Sequence, residues 1–401
     1  MPQHTDDHIG ARIADYRKLR QLTQTGLAQR AFVSRGTIAK IEAGLTPATP
    51  AIVAAVARVL EVDVAVLNGQ PYVSEMQQDK LDRMITPLSD ALDLYDLGPD
   101  LEVSPRPVAV IADDVRKLCA SACATEYQGV GSKLPGLIGE LTTAVSLLPD
   151  GRERREAASS LSWAYWVAYE FAYRLGYQQL ATIALERMGW MAEQAQDPLL
   201  LALRLGKRSS MLLRRGNNQL ALKVLERGHR LIDQYGKPDS VEALALSGTL
   251  HLAGAIAAAQ AKNGDAVSGQ LELARRAAQQ IGRDVPRVYW TSFGGTNVTH
   301  FDVATAVELG NFGAAMKSAR KLHFPSDHPR MRIGRYHIEM ARAYSQMGKP
   351  ESAEKALNIA REVAPQQARY HPLMRETIAV LVRRQRRAPQ GLASLAAWVG
   401  M

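Results

Sequence analysis

The stretch Thr23–Gly44, "TQTGLAQRAFVSRGTIAKIEAG", predicts two short helices joined by a tight turn. Thr23 and Ser34 are residues of the type that caps a helix, because a side-chain oxygen there accepts a hydrogen bond from a free backbone N–H. Apolar residues follow each cap at helical spacing, and Gly44 is suited to ending the second helix. The second helix is polar at its start, which is typical of a helix-turn-helix that enters the DNA major groove N-terminus first.

Apolar periodicity predicts three further helices around this pair. Ile9–Arg20 forms the first, a fourth begins at Ala51, and a short fifth spans Asp63–Leu67. Between residues 9 and 45, seven Lys/Arg oppose two Asp/Glu, and a basic region of this kind attracts phosphate backbones. We therefore predict a five-helix DNA-binding domain over residues 8–70.

The segment "IGARIADYRKLRQLTQTGLAQRAFVSRGTIAKIEAGLTP" resembles the XRE family, the Cro and phage-repressor type of helix-turn-helix. The matching pieces are Leu22-Thr23-Gln24, Leu27-Ala28, Val33-Ser34, Ile38, Ile41-Glu42 and Gly44. The resemblance implies binding to double-stranded DNA as a homodimer. Two heads about one helical turn apart, roughly 34 Å, then favour a palindromic operator.

The resemblance also implies which residues meet DNA. Arg35, Gly36 and Lys40 fall where base edges are read, Gln24 and Thr37 where phosphates are met, and Ser34 at the start of the reading helix. The implied DNA-binding set is Gln24, Ser34, Arg35, Gly36, Thr37 and Lys40. The family pattern further pairs Arg17 with Glu42, an ion pair that ties the first helix to the end of the third.

Phe32 departs from the family pattern, which favours glycine at this turn position. A left-handed backbone there costs a bulky residue roughly 1 kcal/mol or more. We expect either a relaxed turn or compensation through burial of the ring. Gly36 also removes one base-reading side chain, so that direct readout depends on Arg35 and Lys40.

The sequence pattern of residues 74–150 predicts helices that connect the DNA-binding domain to the rest of the chain. An amphipathic stretch over residues 74–97 indicates one or two helices broken near Pro87, and "GPDLEVSPRPVAV" indicates an extended segment. Two helices follow at about Val108–Tyr127 and Leu134–Leu148.

Residues 151–401 contain a loose repeat with a glycine turn between two helical patterns. The turn glycines are Gly176, Gly216, Gly264, Gly310 and Gly348, at intervals of 40, 48, 46 and 38 residues. The last unit matches the tetratricopeptide signature, and the longer units resemble stretched repeats. The prediction is an all-α protein, a helix-turn-helix domain followed by a tetratricopeptide-like right-handed α-solenoid, whose concave surface forms a binding site.

This architecture resembles the peptide-sensing RRNPP regulators and actinobacterial helix-turn-helix regulators. The resemblance implies a transcriptional regulator whose body dimerises and binds a peptide or small-molecule effector, as in quorum sensing; the alternative is a solenoid that docks a protein partner. Counting back from each turn glycine predicts the ligand-binding residues Trp166, Glu170, Arg214, His251, Asn297, His300, Arg335 and Arg342. Asn297 has a second interpretation as a helix cap, as has Thr296, and the arginines have one as solvated faces.

Several features bound the function. We find no recognised catalytic or metal-ligand motif, and we expect no enzyme activity, cofactor or metal. The absence of an eighteen-residue apolar run and of an apolar leader favours a cytoplasmic protein without a membrane span, and Cys119 and Cys123 are expected to be reduced core or interface thiols. "RRQRR", residues 383–387, is interpreted as a solvated basic face, with DNA-backbone contact or an acidic partner as alternatives. The apolar segment after it is expected to cap the solenoid or pack across a dimer.

Overall fold

The structure is a computed structural model that describes residues 8–70, 75–385 and 389–401, without the side chains of residues 75–83 and 128. Its first five helices form the head. They are α1 (Ile9–Leu19), α2 (Gln24–Arg30), α3 (Arg35–Glu42), α4 (Pro50–Leu60) and α5 (Val64–Asn68). These bounds confirm the predicted helix-turn-helix.

Local capping explains where the head helices begin. The Thr23 hydroxyl accepts a hydrogen bond from the Gly26 N–H at 3.0 Å, and the Ser34 hydroxyl accepts one from the Thr37 N–H at 3.1 Å. Each bond satisfies a backbone donor that the helix leaves free. The apolar faces behind these caps converge on one core, with Ile13, Leu27, Ile38, Val56 and Leu60 fully buried. The observed caps and core residues are those that the capping signals and the apolar periodicity of the sequence predict.

The connector contains α6 (Glu75–Asp93), a 3-10 turn (Leu94–Asp96), α7 (Val108–Cys123) and α8 (Tyr127–Leu147). The predicted break near Pro87 is wrong, because α6 continues through this residue. A proline costs the helix one hydrogen bond, but Leu88 and Leu92 on the following turn are completely buried against the core. Tertiary packing therefore outweighs the local signal. The same core continues from α6–α8 into the next helices without interruption.

The body continues as five antiparallel helix pairs that form the predicted helical solenoid. The pairs are α9 (Arg152–Leu175) with α10 (Gln178–Gln194), α11 (Pro198–Arg214) with α12 (Asn218–Tyr235), α13 (Val241–Gln260) with α14 (Gly264–Ile281), α15 (Gly295–Leu309) with α16 (Phe312–Ala319), and α17 (Arg330–Gln346) with α18 (Pro350–Val363). Four of the five predicted turn glycines have a left-handed backbone between paired helices. Gly264 is the exception: it begins α14, and Lys262 takes the left-handed conformation at φ 59°.

A small β-hairpin interrupts the solenoid between α14 and α15. Strands β1 (Val285–Val288) and β2 (Thr291–Phe293) pair antiparallel, and the two turn residues, Tyr289 and Trp290, have φ of 47° and 50°. Two consecutive positive φ values are typical of a mirror-image turn, which normally requires Asn or Gly. Neither residue is present here, and the all-α prediction missed the hairpin.

The C-terminal part consists of α19 (Pro365–Arg369), α20 (Pro372–Arg383) and α21 (Gln390–Val399). Leu392 and Leu395 of α21 are buried against α18 and α20, so this apolar segment covers the last helix pair within the same chain. Among the described residues, α13 is long and apolar enough to cross a membrane. It packs against α11, α12, α14 and α15, which is typical of the central helix of a folded core.

Candidate DNA-binding face and effector cavity

The residues predicted to read DNA lie on one face of α3. Arg35, Gly36 and Lys40 are exposed, and Thr37 is half-buried. The Ser34 hydroxyl serves the helix itself, since it accepts the Thr37 N–H and lies 2.8 Å from the Thr37 hydroxyl. The two long cationic side chains of α3 are therefore free to approach base edges, while Ser34 fixes the start of the helix. Their contacts with DNA stay a prediction.

A partly buried ion pair holds α3 in position. Arg17 Nε lies 2.6 Å from Glu42 Oε1, and Arg17 Nη2 lies 2.9 Å from Glu42 Oε2. This two-point contact confirms the predicted pairing of the first and third helices, and the hydrogen bond to Glu42 raises the pKa of Arg17. Gln24 also donates to Glu42 Oε2, at 2.9 Å. A phosphate contact by Gln24 therefore depends on its second amide N–H or on its backbone.

The helix-turn-helix turn differs from both expectations. Phe32 has a left-handed backbone with φ 56°, so the turn is not relaxed, and its side chain is 88% exposed, so the ring is not buried. The turn instead follows the geometry required by its neighbours: the Val33 N–H donates to the Ala28 carbonyl at 3.0 Å, and Ser34 must begin α3. The helix geometry outweighs the cost of this conformation.

Polar contacts between described residues help to dock the head on the body. Glu376 of α20 accepts the buried Ala48 N–H at 3.3 Å, and Arg214 of α11 donates to the side-chain oxygen of Gln70. Arg384, from the "RRQRR" motif, donates to the Leu45 carbonyl through Nε at 2.9 Å and Nη2 at 2.7 Å. Arg384 is exposed, as the interpretation of this motif as a solvated basic face predicts, and it also binds the backbone just after α3. Arg386 and Arg387 lie outside the described residues.

A cavity of about 420 Å³ lies between the head and the concave side of the solenoid. The first helix of each pair, α9, α11, α13, α15 and α17, contributes to its wall, together with α19 and α20. Residues of α1, α4 and α5, as well as Gln70, close it from the head side. A molecule bound in this cavity would touch both the DNA-binding domain and the body.

Four of the predicted ligand-binding residues line this cavity, namely Glu170, Arg214, His300 and Arg335. The other four, Trp166, His251, Asn297 and Arg342, lie outside the lining. Ligand binding by the four lining residues stays a prediction. The other four do not line the cavity, so counting back from the turn glycines did not identify the concave side correctly at their positions.

Each of the four side chains outside the cavity lining contacts other residues of the body. Trp166 is buried in the core under Lys207, and Arg342 forms a buried ion pair with Glu308 at 3.2 Å. His251 Nδ1 lies 2.8 Å from the Gln270 side-chain oxygen. Asn297 donates to the Ser292 carbonyl at 2.7 Å, across the start of α15. They contribute to packing between helices rather than to the cavity wall.

The cap of α15 also differs from the prediction that Thr296 or Asn297 supplies it. The Asp284 carboxylate accepts the Thr296 N–H at 3.2 Å and bonds to the Thr296 hydroxyl. A carboxylate at a helix N-terminus is favoured by the helix dipole as well as by the free N–H groups. The double glycine allows this approach: Gly294 has φ 146°, and an added Cβ would lie 2.0 Å from an Asp284 carboxylate oxygen.

The cavity lining carries an excess of positive charge. Among the described residues, seven lysines and arginines and three glutamates line it, a formal excess of four positive charges. The cations are Arg12, Arg174, Lys207, Arg214, Arg332, Arg335 and Arg375. A low-dielectric wall concentrates such a field and favours an anion inside.

Two of the three glutamates are already neutralised by ion pairs. Glu170 accepts hydrogen bonds from Arg174 at 2.6 Å and from Lys207 at 2.7 Å. Burial by itself raises the pKa of Glu170, but Lys207 and Arg174 outweigh it and lower this pKa to about 2. Glu339 is bound in the same way by Arg335 and by His300, which lies 3.2 Å away. Both carboxylates are therefore ionised near neutral pH.

Sequence reasoning missed Lys207 and Arg332, although the signal for both was present. Lys207 lies three residues from Ser210 and seven from Arg214, and Arg332 lies three residues before Arg335. Residues at these spacings share one face of a helix. Extending the predicted face by one turn in each helix would have included both cations.

Comparison with known proteins supports the assignment of the head. A family model described as a helix-turn-helix domain matches residues 8–68. No curated protein matches the chain. Among solved structures, the chain is similar to the crystal structure of Bacillus thuringiensis PlcR in complex with the peptide PapR7 and DNA, with 11% identity over 92% of this chain and 99% of that chain, at a TM-score of 0.27. The N-terminal part of this protein is thus a helix-turn-helix domain, and it precedes a helical solenoid.

Proposed function

We propose that this protein is a sequence-specific DNA-binding transcriptional regulator of the XRE type, controlled by an effector that binds between its head and its body. The observation that carries this proposal is the cavity, whose wall is shared by the helix-turn-helix domain and the solenoid. An effector in this position changes the freedom of the head to the extent that it binds the docked and the released arrangements differently.

The shape of the cavity favours a small effector over a protein partner. A volume of about 420 Å³ lies within the range of small-molecule sites, and the head closes one side. A small molecule or a peptide of a few residues fits such a space, whereas a folded partner needs an open surface. An interaction protein with no small effector is therefore the weaker alternative.

DNA recognition is assigned to α3, with Arg35 and Lys40 at base edges and Thr37 and Gln24 at phosphates. The protein is proposed to act as a homodimer on a palindromic operator, because two symmetry-related heads present two such helices. Dimerisation is assigned to the body, which leaves both heads free to reach DNA.

Duplex selection from a random pool tests DNA recognition. Arg35→Ala is expected to lower affinity for the selected site by about 1–3 kcal/mol and to relax specificity at one base position, because a bidentate contact to guanine is lost. Arg30→Ala is the matched control, since Arg30 is exposed on α2 and lies outside the implied reading set. Equal binding by wild type and Arg35→Ala would remove the base-reading role, and no preference for any duplex would remove the proposed function.

A further inference from the structure

Two cavity cations form no direct ion pair with a carboxylate among the described side chains. Arg332 of α17 is one of them: burial together with Arg174 lowers its pKa, and Glu170 and Glu339, which do not contact it directly, oppose this only in part. Arg214 of α11 donates to the neutral amide of Gln70 and lies over the Tyr173 ring at 5.1 Å. A desolvated cation without an ionised partner is costly, and a bound anion removes that cost.

Three cavity-lining residues each carry a fully buried polar atom. His300 Nδ1, Gln70 Nε2 and Gln260 Oε1 belong to cavity-lining residues and have no hydrogen-bond partner. His300 is only 2% exposed, and its other nitrogen lies 3.2 Å from Glu339.

Another part of the wall, contributed by α13, is largely apolar. Leu246, Leu250, Ala253 and Ile256 of α13 line the cavity at helical spacing. Gly206 of α11 lets Leu250 pack closely against α11, because an added Cβ would lie 2.7 Å from Leu250. An occupant that covers both parts of the wall has one charged end and one apolar end.

We infer that the effector is an amphiphilic organic anion, whose carboxylate or phosphate binds Arg332 and whose apolar portion lies against α13. This inference rests on the proposed function and specifies its ligand class. A carboxylate or phosphate accepts parallel N–H bonds from a guanidinium, which makes arginine well suited to either group. Burial of the apolar portion against α13 favours binding, because apolar surface is removed from water.

Calorimetric titration of the full chain with four probes tests this inference. Octanoate and octyl phosphate carry the two possible anionic groups, octanamide is the neutral counterpart, and inorganic phosphate lacks the apolar portion. We expect saturable binding of at least one octyl anion, with octanamide weaker by roughly tenfold or more, the size of one charge-assisted hydrogen bond. Inorganic phosphate is expected to bind more weakly than octyl phosphate. Whichever octyl anion binds tighter identifies the charged group.

Arg332→Met separates a binding role from a structural one. The variant is expected to lose roughly tenfold or more in anion affinity, to bind octanamide as wild type does, and to unfold at a higher temperature without ligand, because an unneutralised cation has been replaced by an apolar chain. Arg330→Met is the matched control, since Arg330 is exposed two residues earlier on the same helix. A lower unfolding temperature for Arg332→Met would identify a structural cation and contradict the inference.

Three other outcomes would also overturn it: no saturable binding of either octyl anion, octanamide affinity equal to that of both octyl anions, or unchanged anion affinity in Arg332→Met. None of these titrations includes DNA. Anion binding by a chain that selects no duplex would therefore leave the anion site standing while the proposed function fails. Anion binding that leaves duplex affinity unchanged would remove only the coupling between them.

Discussion

Replacing Glu376 by glutamine tests whether a protonated carboxylic acid holds the head on the body. Glu376 lies in α20, is 9% exposed and accepts the Ala48 N–H of the head. Burial raises its pKa from 4.5 to about 7, and the Ala48 N–H, Arg12 and Arg383 oppose this rise only in part. Near neutral pH the carboxyl group is thus close to half protonated in the folded protein.

The sign of the pH dependence follows from these two values. Because the folded pKa lies above the unfolded one, the unfolded chain releases the proton first as pH rises. Stability therefore falls between pH 4.5 and about 7 and is level above that range. The difference between the two pKa values corresponds to a loss of about 3 kcal/mol in the free energy of unfolding. Glu376→Gln does not titrate and lacks this loss.

Urea unfolding of wild type and Glu376→Gln from about pH 4 to about pH 8 measures the effect. Glutamine keeps one carbonyl acceptor and lacks the second, which costs stability equally at every pH. The free energy of unfolding of Glu376→Gln relative to wild type is therefore expected to increase by about 3 kcal/mol as pH rises. Glu362→Gln, at an exposed position of α18, provides the control. A difference that is constant with pH would refute the reasoning.

Two further predictions concern the head. Phe32→Gly is expected to stabilise the protein by up to about 1 kcal/mol relative to Phe32→Ala in urea unfolding, because glycine adopts φ 56° without strain; equal stability of the two variants would contradict a strained turn. Arg17→Met is expected to destabilise it by about 1–3 kcal/mol, since Glu42 then loses its partly buried charge partner. The double variant Arg17→Met/Glu42→Leu should recover much of that loss, and a double variant as unstable as the sum of both changes would show that the pair does not act as a unit.

The head was predictable because its signals are local. Thr23, Ser34 and Asp63 each cap a helix through a hydrogen bond within three residues, and the periodic apolar face follows directly. The failures occur where distant contacts decide. Pro87 stays inside α6 because the next turn is buried, and Tyr289 adopts a left-handed turn while its hydroxyl donates to Asp197, 92 residues away in sequence. No local pattern contains that information.

The candidate site was predicted only in part, because the residues that face the concave side of a solenoid depend on how each helix is rotated about its axis. Successive residues on a helix are separated by about 100°, so an error of one position turns a side chain from the cavity to a neighbouring helix. In α13 the lining includes Leu250 and Ala253, whereas His251 and Gly254, one residue later, face Gln270 of α14. The count for this pair began at Gly264, whereas the left-handed turn residue is Lys262, two positions earlier.

The direction of regulation follows from which cation the effector reaches. Arg214 donates to Gln70 and so links the body to the head. An anion is a stronger acceptor than a neutral amide, so an anionic group that reaches Arg214 competes with Gln70 and weakens docking. Arg12, which donates to the Leu67 carbonyl at 2.8 Å, belongs to the head, so a ligand that spans from Arg332 to Arg12 adds a contact found only when the head is docked. An effector shifts the equilibrium between docked and released heads only through contacts that differ between these two states. An anion that displaces Gln70 from Arg214 therefore releases the head, whereas a ligand that spans from Arg332 to Arg12 retains it.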